Sequence, residues 1–182
     1  MTRVKIQTKP LSEQLAAGVW YAEGATYETA AAVLRNPDLF DELFECLLSE
    51  DRGTARRAAM ALEAVSEKRA DLFELYADIV LTELEIRSWW HVRFRLCSIV
   101  PRIRLNRHEF KRAVTLFQSL AEHPQNALAV NALGALSVLA ARGADELREE
   151  TLWLVEQKLR TGSKAMQARC RMMLPLLYGQ DK

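Results

Sequence analysis

The sequence holds few of the features that build disulfide scaffolds, metal centres or membrane spans. Its 182 residues include three cysteines, an odd number, spaced far apart, so no disulfide framework is expected. None of them belongs to a CxxC motif or lies beside a histidine at metal-ligand spacing. Each falls on an apolar helical stretch, which predicts buried free thiols in a reducing cytoplasm and no metal site. The three are Cys46, Cys97 and Cys170.

Long apolar runs and strand signals are also scarce. No apolar run reaches the roughly 18 residues that a membrane helix needs, and the first residues lack the apolar segment of a signal peptide. No Asn-Gly or Asp-Gly hairpin turn occurs. We therefore expect a cytoplasmic, all-helical protein without a membrane partner.

Catalytic signatures are missing as well. The chain has no GxSxG, HExxH, P-loop or GxGxxG motif, and its three histidines are scattered along the sequence. We therefore predict a protein that is not an enzyme and binds no cofactor. The 25 basic and 24 acidic residues nearly cancel, so net charge alone does not predict a nucleic-acid partner.

Helix signals fill most of the chain and recur in pairs. Asn36, Pro37 and Asp38 form a good helix start, and the apolar residues after them fall on one stripe. An Ala-rich second helix is predicted over 54–67, with Ala58, Leu62 and neighbouring apolar residues facing inward. The same pattern predicts helices over 70–85 and 88–104, 108–121 and 126–142, and 144–160 and 163–178. Short connections make successive helices neighbours.

The register of the second helices shows a repeat. Arg56, Arg93, Asn131 and Arg169 follow one another at steps of 37, 38 and 38 residues. Two helices per period and short loops are typical of an αα-solenoid. Two weaker helices, over 12–20 and 26–35, precede the first full pair.

With the pairs Ala55-Arg56, Val92-Arg93 and Ala168-Arg169, the chain resembles the HEAT-like (ARM-type) repeat family. Val130-Asn131 departs from this pattern, and the first helices lack the family's kinking proline. The resemblance implies a right-handed αα-solenoid of about four HEAT-like repeats after a degenerate N-terminal capping repeat. The expected boundaries are 1–36 for the cap and 37–69, 70–107, 108–143 and 144–179 for the repeats, within one continuous domain ending at 182.

The resemblance also bears on the regularly spaced residues. In HEAT-like proteins an arginine early in the second helix commonly bonds to a carboxylate or a carbonyl of the neighbouring repeat. We therefore favour a structural role for Arg56, Arg93, Asn131 and Arg169 over the alternative of phosphate binding.

A second group of basic residues is not explained by the repeat. From Arg87 to Arg112 the chain has seven arginines, one lysine and one acid. His91, Arg95 and Arg102 fall on one side of the second helix, which in a solenoid lines the concave face, and Arg171 occupies a matching place two repeats later. These side chains form either a binding groove or an ordinary solvated surface. The predicted groove residues are Arg87, Trp90, His91, Arg95, Arg102 and Arg171.

The sequence thus favours a non-catalytic scaffold that binds another macromolecule through a partly basic concave groove. A protein or acidic peptide is the favoured partner, because solenoids offer extended concave surfaces. The alternative hypothesis is binding of nucleic acid through its phosphates. A third hypothesis is a HEAT-like DNA glycosylase of alkylation repair. The mostly apolar last helix suggests a homodimer contact.

Overall fold

A computed structural model describes residues 9–179, and within that range the protein is all-helical, with ten α-helices and no strand. The all-helical class predicted from the sequence is therefore confirmed for this range. Residues 1–8 and 180–182, the two ends of the predicted domain ranges, lie outside the described residues. The chain divides into two compact units, one ending at Leu72 and the other beginning at Phe73.

The first unit is organised around its last α-helix. Its helices are α1 (Leu11–Ala16), α2 (Thr26–Arg35), α3 (Phe40–Leu47) and α4 (Arg52–Ser66). Helix α4 contacts the other three, and its inward residues Ala58, Ala59, Ala61, Leu62 and Val65 are completely buried, as the sequence predicted. Small alanine side chains let the surrounding helices approach α4 closely.

Helix α4 begins at a strong cap. The Asp51 carboxylate accepts a hydrogen bond from the backbone N–H of Thr54 at 2.7 Å and another from its hydroxyl. The first of these bonds satisfies a backbone donor that the first turn of a helix leaves without an intrahelical partner. Both bonds lower the pKa of Asp51 below its ordinary value, because they favour the ionised form.

The second unit consists of three contacting helix pairs. Its helices are α5 (Ala77–Ile86), α6 (Trp90–Ile99), α7 (Arg107–Leu120), α8 (Asn126–Ala140), α9 (Asp145–Thr161) and α10 (Lys164–Tyr178). Each odd-numbered helix contacts the next helix along the chain. Among the second helices of the pairs, α8 contacts both α6 and α10, and its apolar residues form much of the core.

Polar contacts fix the first helices of these pairs. Helix α7 starts with a capping box, in which the Asn106 side chain accepts from the backbone N–H of Glu109 and the Glu109 carboxylate accepts from that of Asn106. Arg112 of α7 reaches α5 and pairs with Asp78 at 2.8 Å and Glu85 at 2.7 Å.

Two helices are shorter than the sequence predicted by three residues or more, and each ends shortly before a glycine or a proline. The helix expected over 12–20 stops at Ala16, because Ala17 is extended and Gly18 follows it in the left-handed region with φ of +90°. The helix expected over 88–104 stops at Ile99, since Pro101 has no backbone N–H to donate.

One predicted helix is divided in two. The segment 70–85 forms a 3-10 turn, Ala70–Phe73, followed by α5 from Ala77. The apolar pattern gives no sign of this break, because Phe73, Val80 and Leu84 would share a face in a continuous helix as well. All three are buried.

The three cysteines are free and buried, as predicted. Among residues 9–179, no helix is both long and apolar enough to cross a bilayer. The same residues contain no cluster of histidine, cysteine and acidic side chains that could hold a metal ion.

Candidate functional site

The second helices of the three pairs carry no acidic residue, and two of them, α6 and α10, carry basic residues. Helices α6, α8 and α10 contain no aspartate or glutamate, whereas α5, α7 and α9 carry the acids of this unit's helices. The basic residues on the second helices are Arg93, Arg95, Lys164, Arg169 and Arg171.

A depression, hereafter the basic cleft, lies between α6, α8 and α10. It has a volume of about 330 Å³, and three arginines line it, Arg102, Arg142 and Arg169. Ser98, Asn131 and Gly134 contribute to the same wall. No carboxylate is among the described residues that line it.

Arg169 takes its position from Gly134. A β-carbon placed on Gly134 would lie 2.3 Å from Nη2 of Arg169, 2.4 Å from Nε and 2.7 Å from Cζ. Both nitrogens lie nearer to the placed β-carbon than Cζ does. The edge of the guanidinium that carries Nε and Nη2 therefore faces the glycine. Nε is buried there and has no hydrogen-bond acceptor among the described residues. The N–H groups on Nη1 and on the outer side of Nη2 can donate to a ligand in the cleft.

Asn131 joins the two helices beside the cleft. Its Nδ2 donates to the carbonyl of Phe94 at 2.6 Å and to Oγ of Ser98 at 3.0 Å, both on α6. Because the Ser98 oxygen accepts this bond, its own proton remains available as a donor. The wall of the cleft thus combines a fixed backbone with a hydroxyl donor.

Arg142 lines the cleft from the turn that follows α8. Its Nη2 donates to the carbonyl of Pro101 and its Nε to that of Val138 at 3.3 Å. The repeat pattern of the sequence did not predict Arg142 as a site residue, because Arg142 lies in a turn outside the repeat register. A usable signal existed, since Arg142 follows α8 much as Arg102 follows α6.

Of the predicted groove residues, Arg102 alone is among the residues that line the basic cleft. Arg87 pairs with Glu83, with Nε and Oε2 at 2.5 Å, and its guanidinium lies 5.2 Å from the ring centre of Trp89. The ring of Trp89 stacks in turn on His91, which is 8 % exposed. Arginine, indole and imidazole therefore form one layered contact.

The remaining three predicted groove residues lie on helices α6 and α10. Trp90 is partly exposed and meets the His91 ring edge to face. Arg95 packs over the ring of its neighbour Phe94, at 5.3 Å from the centroid, and Arg171 is exposed. The structure does not bring these side chains to the basic cleft.

The regularly spaced residues make backbone contacts in three of four cases. Arg56 donates to the carbonyl of Ala22 at 3.1 Å, and Arg93 donates to that of Leu84 at 2.7 Å. Burial lowers the pKa of the Arg93 guanidinium. Asn131 donates to the carbonyl of Phe94. Arg169 differs, because its guanidinium faces Gly134 and the cleft.

Arg57, which the sequence did not single out, is the most buried charged side chain in the described part of the chain. It is 1 % exposed, and its guanidinium donates to the carbonyls of Leu15, of Val19 at 3.0 Å and of Ala22 at 3.4 Å. The repeat register selects Arg56, and nothing in the sequence distinguishes its neighbour. The buried arginine ties the segment after α1 to α4.

The last helix keeps part of its apolar surface in solvent. Met172, Leu176 and Tyr178 of α10 are all exposed. The homodimer contact that the sequence suggested there stays a prediction.

Comparison with known proteins supports the helical fold and nothing finer. No protein-family profile matches the chain, and no curated protein matches it either. The chain is similar to a structure described as the crystal structure of an engineered protein from the Northeast Structural Genomics Consortium. The two share 16% sequence identity with a TM-score of 0.64, over 92% of this chain and 78% of that chain.

Proposed function

We propose that the protein is a non-catalytic binding module that holds an acidic segment of another protein in the basic cleft. The observation that carries this proposal is that Arg142 and Arg169 line one depression whose described lining contains no carboxylate. Guanidinium groups favour carboxylate and phosphate ligands because their planar fork of donors matches two oxygens at once.

The size of the cleft favours a peptide over a duplex. About 330 Å³ accommodates one or two side chains, whereas nucleic acid requires an extended row of exposed cations along its backbone. Several other arginines of this unit are engaged elsewhere. Arg87 pairs with Glu83, Arg93 donates to Leu84, and Arg95 packs on Phe94.

The proposed architecture is a HEAT-like stack for the three helix pairs of the second unit. It is supported by the near-constant step between Arg93, Asn131 and Arg169, and by the contacts of α8 with both other second helices. The capping repeat and the first full repeat remain predictions for the first unit. A reducing, cytoplasmic location is part of the same proposal, in keeping with three buried free thiols.

The proposal is tested by fluorescence anisotropy with labelled peptides. A glutamate-rich peptide should bind, and a glutamine-rich peptide of the same length should not. Arg169→Glu and Arg102→Glu should each weaken binding at least tenfold, while Arg171→Glu, a matched change at an exposed arginine of α10, should leave it within about twofold.

Two results would count against an acidic-peptide module. One is equal loss of affinity in all three variants, because it would point to general surface charge. The other is tight binding of duplex DNA with a steep dependence on salt, which would favour the nucleic-acid reading.

A further inference from the structure

Another depression of the second unit lies between α7 and α9 and shares no lining residue with the basic cleft. Its volume is about 530 Å³, within the roughly 300 to 1,000 Å³ that ligand sites commonly have. The residues that line this depression, hereafter the acidic groove, are Gln118, Glu122, Glu150, Trp153 and Leu154. We infer that the acidic groove binds an arginine side chain of a partner protein, which is a second binding function beside that of the basic cleft.

Trp153 supplies an aromatic face that the core does not use. Its side chain is 63 % exposed, although Thr151 and Val155 on the same helix are buried. Its neighbour Leu154 packs against the core instead. Within the described part of the chain, no second ring and no cation packs on the indole. A flat aromatic surface of this kind attracts apolar and cationic groups from solution.

Carboxylates accompany the indole on both helices. Glu150 lies three residues before Trp153, so both side chains leave the same face of α9. Glu122, just beyond the end of α7, lines the groove from the other helix. No lysine or arginine is among the described residues of the lining. The acidic groove therefore combines an aromatic face with negative charge, and this combination is complementary to a cationic side chain.

The two carboxylates differ in what they already contact. Glu122 accepts a hydrogen bond from Nζ of Lys158 at 2.5 Å, which joins α9 to the end of α7. Glu150 is exposed and has no hydrogen bond or ion pair with any other residue that the structure describes. Glu150 is therefore the carboxylate that can pair with an incoming cation.

The lining favours arginine over other cations. A guanidinium is planar, stacks on an indole face and donates to both oxygens of a carboxylate, whereas an ammonium has no flat group to stack. The amide oxygen of Gln118 can accept a further N–H from the same group. Methylated lysine is held by cages of aromatic rings, and Trp153 is the one aromatic side chain in the described lining.

The experiment titrates the unaltered protein with peptides of one neutral sequence that carry arginine, lysine or citrulline at the central position. Citrulline keeps the planar shape of arginine but has no charge. The indole N–H signal of Trp153 in NMR spectra reports binding at the groove. We expect the arginine peptide to bind at least about threefold more tightly than the lysine peptide, and the citrulline peptide not to bind.

Two substitutions at exposed positions connect this binding to named side chains. Glu150→Gln and Trp153→Leu should each weaken binding of the arginine peptide about three- to fivefold, because each removes one of its two main contacts. Glu149→Gln is the matched control, since Glu149 is also an exposed acid of α9 but is not in the described lining. Its affinity should stay within about 1.5-fold of the unaltered protein.

Several results would overturn the inference. They are no binding of the arginine peptide, equal binding of the lysine peptide, and equal binding of the citrulline peptide. Equal losses for Glu149→Gln and Glu150→Gln would assign the binding to the general acidity of α9. Self-association in sedimentation experiments that Trp153→Leu abolishes would show that the groove takes a second copy of this chain. None of these results bears on the basic cleft, which is tested with acidic peptides.

Discussion

The guanidinium of Arg169 lies so close to Gly134 that a β-carbon on the glycine would fall 2.3 Å from Nη2. The glycine is in the middle of α8, where it weakens the helix relative to alanine by about 1 kcal/mol. That local cost is offset by space for a charged side chain from α10. Gly134, which weakens α8, is thus the residue that leaves room for Arg169 in the lining of the basic cleft.

This relationship predicts a measurable coupling between the two positions. In an Arg169→Ala background, Gly134→Ala should raise the free energy of unfolding by roughly 0.5 to 1 kcal/mol through helix propensity. With Arg169 present the gain should be smaller by at least about 0.5 kcal/mol, because the new methyl displaces the guanidinium. Urea denaturation of the four proteins in the cycle measures both values.

Additive effects of the two substitutions would show that the contact has no energetic consequence. Gly134→Ala in the otherwise unaltered protein should also weaken binding of the acidic peptide, since it moves Arg169 away from its seat. Unchanged affinity would show that Gly134 does not contribute to peptide binding.

The buried guanidinium of Arg57 should be a major determinant of stability in the first unit. Arg57→Met keeps the apolar stem but removes the donors to the carbonyls of Leu15, Val19 and Ala22. We expect a loss of about 3 kcal/mol in the free energy of unfolding, because one buried and two part-buried contacts lose a charged donor. Chemical denaturation followed by circular dichroism measures the change.

Arg52→Met provides the matched control. Arg52 also lies on α4, but it is exposed and packs over the ring of Trp20 at 4.0 Å. Its replacement should cost less than about 1 kcal/mol. A loss for Arg57→Met no greater than this control would refute the assigned role.

The Asp51 cap should make stability depend on pH in acid. Its folded-state pKa is lowered by the bonds from Thr54, so the carboxylate binds protons more weakly in the folded than in the unfolded protein. The stabilisation is fully present above the unfolded pKa, near 4, and is lost as the pH falls through the folded pKa.

Asp51→Asn keeps a capping side chain but cannot ionise. Unfolding free energies of both proteins between about pH 2.5 and 6 should therefore converge as the pH falls through the acid range. Parallel curves across that range would mean that Asp51 does not titrate with a lowered pKa.

The three thiols should be inert in the folded protein. Burial, helped by Glu42 and Glu45, raises the pKa of Cys46 to about 11, and burial also raises the pKa values of Cys97 and Cys170. Since the thiolate is the reactive form, a disulfide reagent at pH 8 should modify all three slowly. In denaturant all three should react at once. Rapid stoichiometric reaction of one thiol in the native state would contradict this burial.

The helical class of the protein could be predicted from the sequence because apolar periodicity and capping residues act locally. The apolar stripe after Asn36 and the Ala-rich stretch around Ala58 identify helices α3 and α4 without any knowledge of their neighbours. Helix ends were harder to predict. Pro101 shortens α6 as its chemistry requires, whereas the break before Ala77 leaves the apolar pattern unaltered.

The candidate site depended on contacts between elements far apart in the chain. From the sequence, Arg102 could be named as a candidate and Arg169 appeared as a regularly spaced structural residue, but their common cleft with Arg142 could not be derived. The sequence also treated Arg87 as a groove residue, although it pairs with Glu83. Whether an arginine pairs or lines a cleft depends on distances that helical periodicity does not contain.

The amino-acid sequence by itself therefore determined the helical class, the spacing of the helix pairs and the absence of acids from α6, α8 and α10. The tertiary structure alone decided which cations converge. The physical reason is that a flexible arginine side chain takes its position from the nearest acceptor or gap, and Gly134 supplies that gap on a different helix from Arg169.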